Sequence, residues 1–190
     1  MTGNLAWFCG LIYLLSEIGL GIAKRARRGD SQLKDAGSLR LLWTVIGSSV
    51  FLAFLLAGSL PGLDLGARAT AVTRPLGLLV FVAALALRWY AIVYLGRYFT
   101  VNVAIASDHR VIDSGPYRYV RHPSYTGALA AFLGLGLLLN NAAALLMITV
   151  PPLLVFLRRI HIEEAALLAG LGDNYRAYMQ RTRRLIPGLY

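Results

Sequence analysis

The amino-acid sequence predicts an all-α integral membrane protein with five transmembrane helices. Of its 190 residues 57% are hydrophobic and 15% are charged, whereas an ordinary soluble domain has about 25% charged residues. The mean hydropathy is +0.61. Because one helical span needs about 20 apolar residues, a chain of this length holds several spans and little else. We therefore expect residues 1–190 to form one membrane domain.

Five apolar segments support this prediction. Proline fits the first turn of a helix, so we expect Pro75 to begin the third span. Asn140 and Asn141 predict a tight turn between the last two spans, and Pro151 and Pro152 predict a kink in the fifth span. The predicted spans cover about residues 4–23, 41–60, 75–96, 123–139 and 142–157.

The positive charges alternate between the two ends of these spans. Residues 24–40 contain six Lys or Arg, residues 97–121 contain four and residues 158–184 contain six, out of 19 in the chain. Because cytoplasmic loops are enriched in Lys and Arg, we predict an outside N-terminus and a cytosolic C-terminus. The net charge of +10 then indicates contact with membrane lipids rather than nucleic acid.

Two segments at the cytosolic face are predicted to form a site, residues 97–125 and 158–190. Apolar and small or polar residues alternate from Phe99 to Ile105, which is typical of a strand. With a turn at residues 107–109 and a return strand at 110–112, this pattern predicts a short β-hairpin-like loop. An amphipathic helix is expected over residues 158–171, ending at Gly172.

The first candidate cluster surrounds the proline that begins the fourth span. His122, Ser124 and Tyr125 flank Pro123, where unpaired N–H groups and the helix dipole favour an anion such as a carboxylate. The alternative is that these side chains only anchor the helix in the membrane interface.

The second candidate cluster follows the fifth span. Arg159 and Glu163 are four residues apart and share one helix face. They either meet one ligand with a cation and an anion, or neutralise each other on a solvated face.

Other residues inside the spans are interpreted structurally. Gly127, Ala131 and Gly134 predict a groove in which another helix or the cofactor approaches closely, with helix packing as the favoured use. Glu17 and Arg88 are charged within spans, so we expect them to pair or to line a polar cavity. Cys9 is the one cysteine of the chain, which excludes a disulfide framework and a cysteine-based metal site; no metal is predicted.

The candidate clusters belong to a longer pattern that resembles a known family. Residues 115–127 read GPYRYVRHPSYTG, Glu163 and Glu164 are followed by Leu167, and residues 185–188 read LIPG. This combination resembles the isoprenylcysteine carboxyl methyltransferase family over about residues 95–190. The chain looks like a short member of bacterial type, which implies a bacterial inner membrane. The N-terminal half matches only as hydrophobic spans.

This resemblance implies S-adenosylmethionine as the cofactor and assigns the candidate residues. Arg159 aligns with a substrate-side arginine, and we predict that it is catalytic and that it binds substrate together with Arg121. Asn102 lies where family members carry glutamine. The predicted cofactor-binding residues are Asn102, His109, Val111, Ile112, Tyr117, His122, Pro123, Ser124, Tyr125 and Glu163.

The predicted function is methylation of a carboxylate on a lipid-like or lipidated acceptor at the cytosolic face. A carboxylate has a reference pKa of about 4, so it is ionised at neutral pH and needs no catalytic base. One alternative is an amine acceptor such as phosphatidylethanolamine, whose methylation should accelerate strongly with pH. Two further alternatives are an NADPH-dependent membrane reductase and a lipid-binding protein without enzymatic activity.

Overall fold

The computed structural model describes residues 3–23, 37–99 and 110–190. Short 3-10 turns occupy Pro61–Leu63, Gly96–Tyr98 and Gly115–Arg118. The described part contains no named strand, only two isolated bridges, and the predicted all-α membrane fold is confirmed. Its helices are α1 (Gly3–Ala23), α2 (Ser38–Ser59), α3 (Gly66–Leu95), α4 (Pro123–Leu139) and α5 (Ala142–Arg181).

Helix length and surface character show a multi-pass membrane protein. Helices α1, α2, α3 and α5 are each long and apolar enough to cross a bilayer, while α4 has 17 residues. At about 1.5 Å per residue, α4 is about 26 Å long, slightly less than the hydrocarbon core. Large apolar side chains face outward on α1, α2 and α3, including Trp7, Phe51 and Val93 at 64%, 68% and 70% exposure. Such exposure fits lipid rather than water.

The helices differ from the predicted spans at several ends. Helix α3 begins at Gly66, so Pro75 lies inside it rather than at its start. Proline removes one helix hydrogen bond and its ring crowds the carbonyl of residue i−4, a cost that helices packed in a membrane tolerate, and α3 continues past it. Helix α5 runs through Pro151 and Pro152 to Arg181, and non-helical backbone occurs at Gly172, which has φ 58°.

The predicted hairpin falls mostly on residues that the structure does not describe. Residues 100–109 lie outside the described residues, and residues 110–112 are irregular backbone rather than the expected return strand. The predicted turn between the last two spans is present, since Asn140 has φ 55° and the Asn141 side chain accepts from the Ala144 N–H at 3.1 Å.

Helices α3 and α4 pack backbone to backbone through glycines. A Cβ added at Gly134 would lie 2.7 Å from the Gly77 carbonyl oxygen and 2.7 Å from the Phe81 nitrogen. At Gly127 it would lie 2.7 Å from the Ala84 carbonyl oxygen. These distances confirm the predicted close helix contact. Because glycine has no Cβ, the two helices approach closely enough at these positions for favourable van der Waals contact.

A bidentate ion pair joins α1 to α3 within the bundle. The Arg88 Nε and Nη2 donate to the two carboxylate oxygens of Glu17 at 2.6 and 2.7 Å, and Nη1 donates to the Ser124 carbonyl at 3.0 Å. Both side chains are nearly fully buried. The predicted pairing is therefore confirmed, and Arg88 connects α1, α3 and the first turn of α4.

The glycine contact predicts a site-specific loss of stability. Gly134→Ala should destabilise the protein by about 1–3 kcal/mol, because its new methyl group meets backbone atoms that cannot move aside. Gly19→Ala is the matched control, since nothing lies within 4 Å of its added Cβ. Thermal unfolding of both variants in detergent measures the difference. Equal stability of the two variants would contradict the close contact.

Candidate functional site

The two sequence clusters meet at one end of the bundle. His122 precedes α4 and contacts two consecutive carboxylates of α5. Its Nδ1 lies 3.9 Å from Glu163 Oε2, and its Nε2 lies 3.3 Å from Glu164 Oε1. His122 is 5% exposed. Residues more than 40 positions apart in sequence thus form one cluster at the start of α4, where an anion is electrostatically favoured.

Tyr125 lies at the centre of this cluster. Its ring stacks on His122 with centroids 5.4 Å apart and an interplanar angle of 10°. Its hydroxyl donates to Glu163 Oε2 at 2.7 Å and accepts from Arg159 Nε at 3.2 Å. Arg159 and Glu163 are therefore bridged by a phenol rather than paired directly. These hydrogen bonds place a carboxylate, a hydroxyl and a guanidinium in one row.

Arg159 extends this row to the second helix. Its Nη1 donates to the Ser38 hydroxyl at 2.9 Å, and the arginine is 3% exposed. Ser38 is the first residue of α2. Arg159 also lines a cleft between the helices, whose walls are mostly apolar. The lining residues are Tyr13, Glu17, Leu20, Leu39, Leu42, Trp43, Ile46, Arg88, Phe99, Tyr125, Phe156 and Arg159.

Glu164 forms the electrostatic centre beneath the cluster. Its Oε1 accepts from Arg121 Nε at 2.7 Å, its Oε2 accepts from Arg184 Nε at 2.9 Å, and His122 lies against Oε1. The Glu164 side chain is 4% exposed. A buried carboxylate is costly unless it is paired and hydrogen-bonded, and these partners satisfy both of its oxygens.

The C-terminal segment is held against the same cluster by its backbone. The N–H groups of Arg121 and His122 donate to the carbonyls of Arg183 and Arg184 at 2.7 and 3.0 Å, and the Thr126 hydroxyl donates to the Leu185 carbonyl at 2.8 Å. The Arg121 guanidinium also donates to the carbonyls of Met179 and Thr182. The Arg121 side chain thus links the C-terminal segment to Glu164 at the site.

The remaining predicted cofactor residues surround the cluster to different degrees. Tyr117 is buried and donates to the Ala91 carbonyl at 3.1 Å, and burial raises the pKa of this phenol, so it stays protonated. Val111 and Ile112 are half-buried in the irregular segment, and Pro123 and Ser124 are buried in the first turn of α4. Asn102 and His109 lie outside the described residues.

Three residues of the network were not predicted as site residues. Glu164 was recognised only as part of the Glu-Glu pattern, and Ser38 and Arg184 were not assigned. Adjacent residues on a helix point about 100° apart, so Glu163 and Glu164 contact different partners. The position of Glu164 beside Glu163 is therefore the sequence feature that indicates a separate role for it. For Ser38, 121 positions from Arg159, the sequence offered no signal.

These features define a multi-pass α-helical membrane protein with a charged site at one membrane end. The predicted family is confirmed by comparison, since residues 76–169 match the model of the isoprenylcysteine carboxyl methyltransferase (ICMT) family. The chain is a member of that family. It is also similar to the solved structure of the eukaryotic intramembrane Ras methyltransferase ICMT, with a TM-score of 0.64, 30% identity and coverage of 77% of this chain and 52% of that one.

Named relatives match part of this chain. The protein-S-isoprenylcysteine O-methyltransferase of Schizosaccharomyces pombe is 38% identical over 103 residues, which are 53% of this chain and 44% of the relative. Methanethiol S-methyltransferase 1 of Bradyrhizobium diazoefficiens is 39% identical over 71 residues, which are 37% of this chain and 24% of that protein. The chain thus matches less than half the length of either relative.

The network around Glu164 predicts unequal effects of two neighbouring substitutions. Glu164→Gln should destabilise the protein by about 3 kcal/mol or more, because it leaves the buried Arg121 without its counter-ion. Glu163→Gln should cost less than about 1 kcal/mol, since its side chain is 30% exposed and the amide oxygen still accepts from Tyr125. Chemical unfolding of both variants measures this, and similar losses would refute the assigned role of Glu164.

Proposed function

We propose that this protein is an S-adenosylmethionine-dependent membrane methyltransferase that methylates a carboxylate on a lipid-like or lipidated acceptor. The observation that carries the proposal is the chain of contacts Glu163–Tyr125–Arg159. It places an anion beside the family-matched start of α4 and a cation on the cleft between the helices. The Glu163 end of this row of contacts suits a cationic methyl donor, and the Arg159 end suits an anionic acceptor.

The lining of the cleft favours an acceptor with an apolar part. Leu39, Leu42 and Ile46 of α2 and Phe156 of α5 provide apolar walls, with Arg159 among them. The cleft is narrow, about 30 Å³, so an acceptor chain has to separate the side chains that line it. A lipid tail would lie among these residues while its carboxylate takes the bidentate hydrogen bonds that a guanidinium offers.

The residues around Glu163 fit the proposed cofactor. Glu163 is an incompletely buried carboxylate that can accept from ribose hydroxyls or an ammonium group. The stacked rings of His122 and Tyr125 form a rigid wall beside it. Val111, Ile112, Tyr117, Pro123 and Ser124 are proposed as the further described contacts, and Asn102 and His109 remain predictions from the sequence.

The chemistry asks these residues to align and to exclude water rather than to move a proton. When bound, S-adenosylmethionine supplies an activated methyl group on a sulfonium. Arg159 would orient the acceptor carboxylate, which is already ionised at neutral pH. The ring stack and the buried first turn of α4 would keep water from the reacting atoms. No general base is needed for this acceptor.

The site end of the bundle is proposed to face the cytosol, with the N-terminus on the opposite side of a bacterial inner membrane. The described part of this end carries Arg121, Arg158, Arg159 and Arg184, consistent with the preference of cytoplasmic segments for positive charge.

A thiol is the second candidate acceptor. The methanethiol S-methyltransferase relative is 39% identical over its matched segment, so a donor site of this sequence type is compatible with a different acceptor. A thiol must lose its proton before attack, since its reference pKa is about 8.5. Thiol methylation should therefore accelerate with pH through that range, and carboxylate methylation should not.

Labelled cofactor tests the proposal directly. Purified protein should bind methyl-labelled S-adenosylmethionine saturably and transfer the label to an apolar-extractable component of its native membranes. Base-labile label indicates a methyl ester, whereas base-stable label indicates a thioether or a methylated amine. Saturable binding of NADPH instead, or no saturable cofactor binding, would reject the methyltransferase assignment in favour of a reductase or a lipid-binding protein.

The position of Arg159 predicts a separation of acceptor and cofactor effects. Arg159→Ala should lower acceptor turnover by about 100-fold, since a charge-assisted hydrogen bond to a reacting group contributes about 3 kcal/mol, and should change cofactor affinity less than about threefold. Arg158→Ala is the matched control, because Arg158 is the exposed neighbour on the same helix. Turnover and cofactor titration are the measurements. Equal loss of both in Arg159→Ala would contradict the division of roles.

A further inference from the structure

A second cavity lies at the opposite end of the bundle from the candidate site. Its volume is about 290 Å³. It opens between the start of α1, the end of α2 and the turn between α4 and α5, and Arg74 of α3 contributes to it. Arg74 and Arg88 are 14 residues apart on α3, which corresponds to about 21 Å along the helix. We call this cavity the distal pocket, lined by Ala6, Trp7, Phe54, Ala57, Gly58, Asp64, Arg74, Leu138, Leu139 and Asn140.

Arg74, one of the two charged residues of the pocket, has unused hydrogen-bonding capacity. Among the residues that the structure describes, Arg74 Nε is the buried side-chain nitrogen without a hydrogen-bond partner. No described carboxylate forms an ion pair with its guanidinium. A buried donor without a partner costs about 1–3 kcal/mol. An anion in the pocket recovers that energy when the Arg74 side chain turns its Nε, which has almost no accessible surface in this arrangement, toward it.

The second charged residue of the pocket is held in place from behind. Asn141 is fully buried, and its Nδ2 donates to the Leu60 carbonyl at 2.8 Å and to Asp64 Oδ1 at 3.0 Å. Asp64 is therefore fixed through one oxygen, while the other makes no hydrogen bond within the described part of the chain. The pocket presents one positioned carboxylate and one guanidinium.

Apart from Asn140, whose Oδ1 accepts from the Thr73 hydroxyl at 3.1 Å, the rest of the lining is apolar. Trp7 is 64% exposed, and its ring packs on Phe54 with centroids 4.4 Å apart. Ala57, Leu138 and Leu139 continue the apolar wall. A ligand of this pocket thus carries an anion, a cation and a hydrocarbon chain.

We propose that the distal pocket binds a zwitterionic aminophospholipid. Its phosphate pairs with Arg74, its ammonium group pairs with Asp64, and one acyl chain lies over Trp7 and Phe54. Phosphate takes hydrogen bonds from a guanidinium in bidentate geometry, and the carboxylate adds a preference for an ammonium headgroup. This lipid is not the methyl acceptor, because it binds at the other membrane end, and its binding requires no cofactor.

Fluorescence quenching by brominated lipid tests this proposal. A W43F/W89F background leaves Trp7 as the one tryptophan of the chain. In detergent micelles, phosphatidylethanolamine with dibrominated chains should quench Trp7 fluorescence with saturation near one lipid per protein. Dibrominated phosphatidylglycerol should bind more weakly, and dibrominated diacylglycerol should show no saturable phase.

Three substitutions and one control assign the two headgroup contacts. Arg74→Gln should weaken phosphatidylethanolamine binding at least about tenfold, or about 1.4 kcal/mol, and Arg74→Lys should restore part of it. Arg68→Gln is the matched control, since it removes the same charge from α3 but does not line the pocket. Asp64→Asn should abolish the preference for phosphatidylethanolamine over phosphatidylglycerol while leaving the latter bound. Unfolding temperatures of all variants confirm that each is folded.

Three results would overturn the proposal. Equal quenching by diacylglycerol would indicate ordinary lipid contact with an exposed tryptophan. Displacement of the lipid by millimolar inorganic phosphate would indicate a site for a free anion. A similar loss in the Arg68 and Arg74 variants would indicate a general effect of charge at this membrane end.

Discussion

The burial of one carboxylate, Glu164, determines how the site end of the bundle is assembled. The cost of desolvating it is offset by Arg121, Arg184 and His122, which all lie against it. These partners come from the turn before α4 and from the segment after α5, so satisfying one group fixes two distant parts of the chain. The cluster of His122, Tyr125 and Glu163 rests on that arrangement, and its geometry follows from a structural ion pair beside it.

A second buried ion pair, Glu17 with Arg88, constrains the start of α4 from within the bundle. Arg88 donates to the Ser124 carbonyl as well as to Glu17, so the first turn of α4 is held from inside the membrane and from its surface. Close glycine contacts between α3 and α4 prevent these helices from sliding past each other. The start of α4 is thereby positioned from three directions, as the proposed alignment of donor and acceptor requires.

The sequence predicted the features that depend on local pattern or on burial cost. The apolar segments, the Glu17–Arg88 pair and the glycine contact followed from the rule that the membrane interior tolerates neither unpaired charge nor loose packing. The meeting of His122 and Glu163 was expected through family resemblance. Pattern did not reveal that Pro75 lies inside α3, because a helix tolerates one missing hydrogen bond, or that Ser38 contacts Arg159, because long-range pairs of polar residues leave no periodic signal.

The division of the chain between matched and unmatched helices bears on acceptor choice. The family match covers residues 76–169 and includes Tyr125, Arg159 and Glu163, whereas α1 and α2 lie outside it. Yet Tyr13, Leu42 and Ile46 from those two helices line the cleft beside Arg159. Relatives whose names specify an isoprenylcysteine and methanethiol match 103 and 71 residues of this chain. Under the proposed function we expect the residues that select the acceptor to lie on α1 and α2, whose apolar side chains line the cleft beside Arg159.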